Sequence, residues 1–443
     1  MLSAFTAAVR DRDLRRKILF TIAMIILYRI GAQIPTPGVD YQAVSSRLAA
    51  IEQGQSSVYS LINLFSGGAL LQLSIFAVGI MPYITASIIT QLLTVVIPHF
   101  EQLKKEGQTG QNTMTQYTRY LTIALAMLQS AGMVALADRQ QLLGPGVEVL
   151  VADRTIWDLV VMVLTMTAGA VLVMWLGELI TERGIGNGMS LLIFAGIATS
   201  LPQDGANILS GNGGVVFASV VAAVLVLIVG VVFIEQGQRR IPVQYAKRMV
   251  GRRQYGGTST YLPLKVNQAG VIPVIFASSL MYVPVLITEI VNSSADMVAD
   301  NWWQRNVIQW LTSPASWQYI VGYFVLIVFF AYFYVSIQYD PYEQAENMKK
   351  YGGFIPGIRP GRPTAEYLAY VLTRLLAVGS IYLGLVAVLP NFMLDMGVSV
   401  SGGSQGALPF GGTAILILVS VALTTVKQIE SQLMQRNYEG FLK

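Results

Sequence analysis

The stretch Leu61–Pro98, LINLFSGGALLQLSIFAVGIMPYITASIITQLLTVVIP, is almost wholly apolar and far too long for one membrane crossing. One crossing needs about 20 apolar residues, so the part before Ser74 must fold back, stop short or lie inside other protein. Gly67-Gly68 interrupts the run near its start. A broken helix at membrane depth implies a cavity, because lipid cannot satisfy free backbone groups.

The rest of the chain supports a polytopic, all-α membrane protein. Of its 443 residues, 54% are hydrophobic and 12% charged, and the mean hydropathy is +0.56. A soluble domain carries about twice that charged fraction. Further apolar runs cover Ile18–Ile34, Thr115–Leu136, Ile156–Leu176, Gly186–Leu201, Val215–Ile234, Ala269–Thr288, Trp317–Ile337, Leu368–Pro390 and Leu408–Val426, giving ten expected transmembrane helices. The short run Gly186–Leu201 is retained because the charge alternation fails without it.

Assigning successive loops to opposite sides puts 22 Lys and Arg on one side and 4 on the other. That asymmetry places the N-terminal segment 1–17, the loops 235–268 and 338–367 and the tail 427–443 in the cytoplasm. Arg29 and Arg119 sit near span ends, where they are expected to snorkel. The first span follows a basic start and lacks a small-residue cleavage site, so it is expected to be retained. Five spans in each half (18–201 and 215–426) would invert the second half relative to the first, around a central pore. The exterior link 202–214, PQDGANILSGNGG, suits a hinge or a plain flexible loop.

Several activities lack machinery. No expected span has an internal Asp or Glu, and Glu178, Glu182 and Glu289 fall just beyond span ends, which disfavours ion-coupled transport. Neither an acidic ring nor a filter-like repeat marks a cation channel. There is no cysteine, and the one histidine, His99, lies beside Pro98 at a span end, so a metal centre is not expected. Gly184-Ile185-Gly186-Asn187-Gly188 fits no nucleotide-binding spacing and reads as a flexible start to the fifth span. With no G-x-S-x-G elbow either, neither an enzyme nor a cofactor is expected. A passive channel and a secondary solute transporter remain open.

Two cytoplasmic loops stand out. Loop 235–268 carries Arg239, Arg240, Lys247, Arg248, Arg252, Arg253 and Lys265 with no acid after Glu235. Alternation around Ile241, Val243 and Tyr245, then Gly256-Gly257, predicts a two-stranded arm with Arg252 and Arg253 near its tip. Such charges enforce topology or meet anionic membrane lipids. A 30-residue projection exceeds that need, and suits RNA phosphates or an acidic protein surface. In loop 338–367, Pro356, Pro360 and Pro363 stiffen a turn that displays Arg359, either as a fixed guanidinium or as an incidental charge.

From about Leu14 to the C-terminus the chain resembles the SecY family, the central subunit of the Sec protein-conducting channel. The strings that carry the resemblance are FSGGAL (Phe65–Leu70), SIFAVGIMPYITASII (Ser74–Ile89), QYTRY (Gln116–Tyr120), MWLGELITERGIGNGMSLLIFAGI (Met174–Ile197), LPLKVNQAGVIPVIFASS (Leu262–Ser279) and FIPGIRPG (Phe354–Gly361). The resemblance implies a passive channel that passes unfolded secretory proteins and releases transmembrane segments sideways. It implies a pore ring of Ile80, Ile84, Met189, Ile193, Ile275 and Ile417, with Met189 a looser residue than the branched one expected. It implies a plug over about 61–73, including Leu61, Asn63, Phe65, Ser66, Gly67, Gly68 and Leu70. A lateral gate would open between the second and third spans and the seventh and eighth, with Gln91 in its lining or in an ordinary interhelical bond. Lys247, Arg248, Arg252, Arg253 and Arg359 would dock a SecA ATPase or a ribosome. SecE-like and SecG-like small subunits, signal peptides and client polypeptides complete the implied partners, in a bacterial cytoplasmic (inner) membrane. An apolar girdle suits that task, since water leaves a narrow greasy constriction while a sliding chain finds no strong site.

Overall fold

The computed structural model describes residues 11–42, 44, 69, 72–138, 150–151, 155–245, 248–250, 253–255, 259–291, 316–395 and 412–440. Helix α1 (Arg12–Gln33) starts at Asp11, whose carboxylate accepts from the Asp13 N–H at 3.0 Å. Helix α2 (Met81–Val96) and α3 (Pro98–Lys105) are bent by 99° at their junction. Pro98 forbids helical backbone at Ile97, which is extended at φ −107° and ψ 116°. Helices α4 (Gln108–Asp138) and α5 (Ile156–Arg183) follow, the latter capped reciprocally by Thr155 and Asp158.

Helix α6 (Gly188–Gln236) carries helical backbone through 202–214, the segment expected to link the two halves. The stretch is nevertheless not straight. Straight, its ends would lie about 70 Å apart. Instead both ends meet one helix, α11 (Gly412–Gly440): a Cβ on Gly186 would stand 3.3 Å from Thr425 Oγ1, while Ser420 Oγ donates to Glu235 at 3.1 Å. Phe217 also lies 3.7 Å from where a Cβ on Gly205 would stand. Twelve residues of straight helix would separate that pair by about 18 Å. The chain therefore doubles back between two legs, near Pro202 and the following Gly-rich residues.

The expected arm follows. Strand β1 (Gln238–Tyr245) pairs antiparallel with β4 (Ser259–Lys265), from Gln238↔Lys265 to Gln244↔Ser259. Beyond them β2 (Arg248–Val250) pairs with β3 (Arg253–Tyr255), with Val250 opposite Arg253. Next come α7 (Ile272–Val291), α8 (Trp317–Gln338), α9 (Pro341–Lys350), β5 (Gly353–Phe354) and α10 (Arg362–Asp395). Strand β5 adds to the free edge of β1, making a three-stranded sheet in the order β4-β1-β5.

A helix occupies each expected apolar run. By length and composition, six helical stretches among the described residues suffice to cross a membrane, or seven if the bent α2–α3 pair is one span. Gly188–Pro202 and Ile272–Met281 are apolar but shorter. The chain is thus a mostly helical membrane protein.

Three large apolar clusters organise the packing. One draws only on the first half, including Leu73, Met133, Leu136, Met162 and Met166. Another draws only on the second, including Val274, Tyr323, Ile327 and Leu383. The third joins Tyr28, Phe76, Ile80, Leu176 and Ile193 to Ile275, Ile417 and Val421, and so spans both halves. In lipid, helix association gains little from apolar burial itself, so close packing and buried polar contacts decide which helices meet.

Candidate functional site

All six residues expected in the ring meet in this third cluster. Ile80, Ile193, Ile275 and Ile417 are buried, while Ile84 and Met189 pack against them partly buried. Four separate elements deliver them. Ile80 caps α2 and Ile84 follows one turn later on the same face; Met189 and Ile193 repeat that spacing at the start of α6. Ile275 comes from the first turn of α7 and Ile417 from the second turn of α11. Ala69 and Phe76 share the cluster, although the ring pattern gave no signal for either. The Met189 sulfur packs against Gly177 of α5, where any Cβ would collide with it.

The start of α6 is a capped corner, which corrects the flexible start expected of Gly184–Gly188. Gly186 adopts φ +90°, a conformation glycine takes without strain. Thr21 Oγ1 accepts from the Ile185 N–H at 3.1 Å, Thr181 Oγ1 from Gly188 at 2.9 Å, and Asn187 Oδ1 from Met189 at 3.1 Å. Three side chains thereby fix the angle at which Met189 and Ile193 reach the cluster.

Of the expected plug, Leu61, Asn63, Phe65, Ser66, Gly67, Gly68 and Leu70 lie outside the described residues. Its C-terminal margin is described and buried. Ala69 and Leu73 are fully covered, and residues 72–80 form turns rather than helix. Pro35 bridges Ser74; the Thr36 N–H donates to Leu73 O at 3.0 Å and the Ile75 N–H to Ile34 O at 2.9 Å. These bonds satisfy non-helical backbone inside protein, as the overlong apolar run required. Leu73 holds φ +45°, a strained conformation for a branched residue.

Gln91 lies half-buried on α2, where its backbone carbonyl accepts from Thr94 Oγ1 at 2.6 Å. At the preceding residue, Thr118 Oγ1 of α4 donates to Thr90 Oγ1 at 3.1 Å. Helix α7 also touches both α2 and α4. Arg119 does not snorkel freely, a further correction: its guanidinium is paired with Glu178 of α5 at 2.8 Å.

In the outer part of the arm Val250 of β2 pairs with Arg253 of β3. Arg248 is on β2; Lys247 and Arg252 lie outside the described residues. Arg359 is exposed, between Gly357 (φ +83°) and Gly361 (φ +105°), and its carbonyl accepts from Thr364 Oγ1 at 2.8 Å. The loops 235–268 and 338–367 pack together: Ile241 and Leu264 of the arm share an apolar cluster with Ile355, Ile358, Leu368 and Val371. No metal-holding group of His, Cys, Asp and Glu occurs among the described residues.

The sequence reading passed over one polar group. Glu235, near the end of α6, is 7% exposed; its Oε2 accepts from Asn267 Nδ2 at 2.9 Å and its Oε1 from Ser420 Oγ at 3.1 Å. Asn267 lies within the string LPLKVNQAGVIPVIFASS, so a signal was present.

Comparison with known proteins gives concordant matches. The SecY family model matches residues 74–426. The protein translocase subunit SecY of Corynebacterium glutamicum is 77% identical over 442 residues, covering 100% of both chains. Its counterpart in Mycobacterium tuberculosis strain H37Rv is 65% identical, again over the full length of both. Among solved structures, a protein-conducting channel superposes with a TM-score of 0.65 at 19% identity, over 94% of this chain and 91% of the other. Sec61 in a canine ribosome–channel complex gives 0.61 at 18% identity, over 94% and 91%.

Proposed function

The chain belongs to the SecY family, and from that premise we propose how its residues serve as the central channel subunit of a protein translocase. It is a membrane protein whose role is passage of protein, as the names of its relatives state. The proposed constriction is the cluster of Ile80, Ile84, Met189, Ile193, Ile275 and Ile417. One observation carries this reading: side chains from four segments distant in sequence converge in one large apolar cluster that, among the described residues, draws on both halves. An aliphatic waist excludes water and ions at rest and offers no sticky site to a moving chain.

The finer architecture is ten helices in two inverted halves, 18–201 and 215–426, with the segment 202–214 as the external turn. Residues 61–73 would close the outer side as the plug, hinged at Leu73. The lateral gate would part α2 and α4 from α7 and α8, past Gln91. The distribution of 22 against 4 basic residues supports cytoplasmic termini, and the bacterial sources of the relatives support a bacterial inner membrane. SecA or a ribosome would dock on Lys247, Arg248, Arg252, Arg253 and Arg359, and one solved relative is a ribosome-bound channel complex. SecE-like and SecG-like subunits, signal peptides and lipid complete the proposed surroundings.

Depleting the protein tests the function. Secretory precursors should accumulate in the cytoplasm with uncleaved signals; normal export alongside lost solute uptake would point to a transporter instead. Deleting 61–73 should make reconstituted complexes leak ions, and unchanged electrical resistance would remove the plug assignment.

A further inference from the structure

Glu235 is a carboxylate with no part in the ring, the plug or the docking surface, yet it is buried and doubly bonded where four elements converge. The arm's two strands close at its root, where the Val266 N–H donates to Gly237 O at 3.0 Å beside the pair Gln238↔Lys265. Glu235 lies two residues before that root on one side and Asn267 directly follows it on the other, and the two are joined at 2.9 Å. Asn267 Nδ2 also donates to Gly270 O at 3.2 Å, which sets its amide. Helix α10 presses on the same root, with Gly379 against the Val266 backbone so closely that a Cβ would collide with the Val266 carbonyl.

The second carboxylate oxygen reaches a different helix. It accepts from Ser420 of α11, which lies one turn beyond the ring residue Ile417 and next to Val421, itself in the ring cluster. A buried carboxylate loses heavily if a donor is withdrawn, so the three side chains move together or break at a cost.

Resting on the channel reading above, we propose that Glu235 is a positioning residue, a polar latch through which displacement of the basic arm by a cytoplasmic partner is transmitted to Ser420 and hence to the Ile417 segment of the pore ring. The arm root has little slack, since the strands pair up to Gln238 and Lys265, Val266 bonds Gly237 just beyond them, and Asn267 and Glu235 follow within two residues of that bond. Force on the arm tip therefore arrives at α11 through Glu235 and not through a flexible linker. A partner bound to an arm with a broken latch would be held but poorly coupled.

The test compares Ser420→Ala, Ser420→Thr, Glu235→Gln and the double variant Glu235→Gln/Ser420→Ala in the complete complex reconstituted into vesicles. SecA binding and SecA-driven precursor translocation are measured separately. The latch predicts that Ser420→Ala keeps wild-type SecA affinity while translocation falls about tenfold, the equivalent of one charge-assisted hydrogen bond. Ser420→Thr, which keeps the hydroxyl, should restore the rate. The double variant should be no worse than Glu235→Gln alone, since both break one link. Wild-type translocation by Ser420→Ala, losses that add in the double variant, or a loss of affinity equal to the loss of rate would each overturn the proposal. Failure of wild-type vesicles to translocate at all would instead count against the channel reading.

Discussion

Arg119 and Glu178 join α4 to α5 through two parallel hydrogen bonds, Nε donating to Oε1 at 3.0 Å and Nη2 to Oε2 at 2.8 Å. The geometry is specific to a guanidinium, because an ammonium cannot offer two coplanar donors. Glu178 is 13% exposed and Arg119 is 42% exposed, so solvent weakens the pair without abolishing it. Arg119→Ala should lower stability by about 1–3 kcal/mol, short of the loss for a fully buried pair. Thermal unfolding in mild detergent checks this, and Arg119→Lys should recover only part of the loss.

Gly169 of α5 lies directly on the non-helical segment 72–80. A Cβ there would collide with the Ile75 carbonyl, which is backbone and cannot swing aside. Gly169→Ala should therefore cost about 1–3 kcal/mol by overpacking, despite alanine's better helix propensity. The same unfolding measurement reads it, and a neutral result would mean that α5 and this segment separate easily.

Replacing a ring isoleucine with a polar residue should wet the constriction. Ile275→Asn or Ile417→Asn should raise resting ion flux in vesicles, whereas Ile275→Leu should leave it low, since a volume-conserving apolar exchange keeps the waist dry. Equal flux in all three would remove these residues from the barrier.

Arg359 sits outside the cluster, exposed on a turn that is anchored through Ile355 and Ile358. Arg359→Glu should reduce SecA-driven translocation about tenfold through lost charge complementarity, with resting ion flux unchanged. Comparable damage to both would mean that this turn also supports closure.

Much of this was legible in the sequence where the signal is local. The break before Ser74, the two-stranded arm and the span end at Pro98 each follow from residue types with strong backbone consequences. The ring residues came through family strings, and the apolar pattern alone marks them only as buried. What escaped depends on distant partners. The edge strand Gly353–Phe354 is two residues long and exists because β1 offers a free edge. The pairing of Arg119 with Glu178 spans two helices, and each residue alone reads as an interfacial charge. Glu235 reads as the end of a span until Ser420, 185 positions later, is seen to bond it. The helical backbone over 202–214 ran against a Gly- and Asn-rich composition that favours loop, and the reversal within it shows only in tertiary contacts, those of Gly186 and Glu235 with α11 and of Gly205 with Phe217.

Site-specific photocrosslinking tests the central claim most directly. A photoreactive residue at Ile80 or Ile275, in complexes holding a translocation-arrested precursor, should capture the precursor along its unfolded length, while the same probe at Phe233 of α6, 81% exposed and outside the cluster, should not. Precursor that never crosslinks to Ile80 or Ile275 although its signal is being cleaved would contradict the account, because the polypeptide would then be crossing by a route other than this apolar waist.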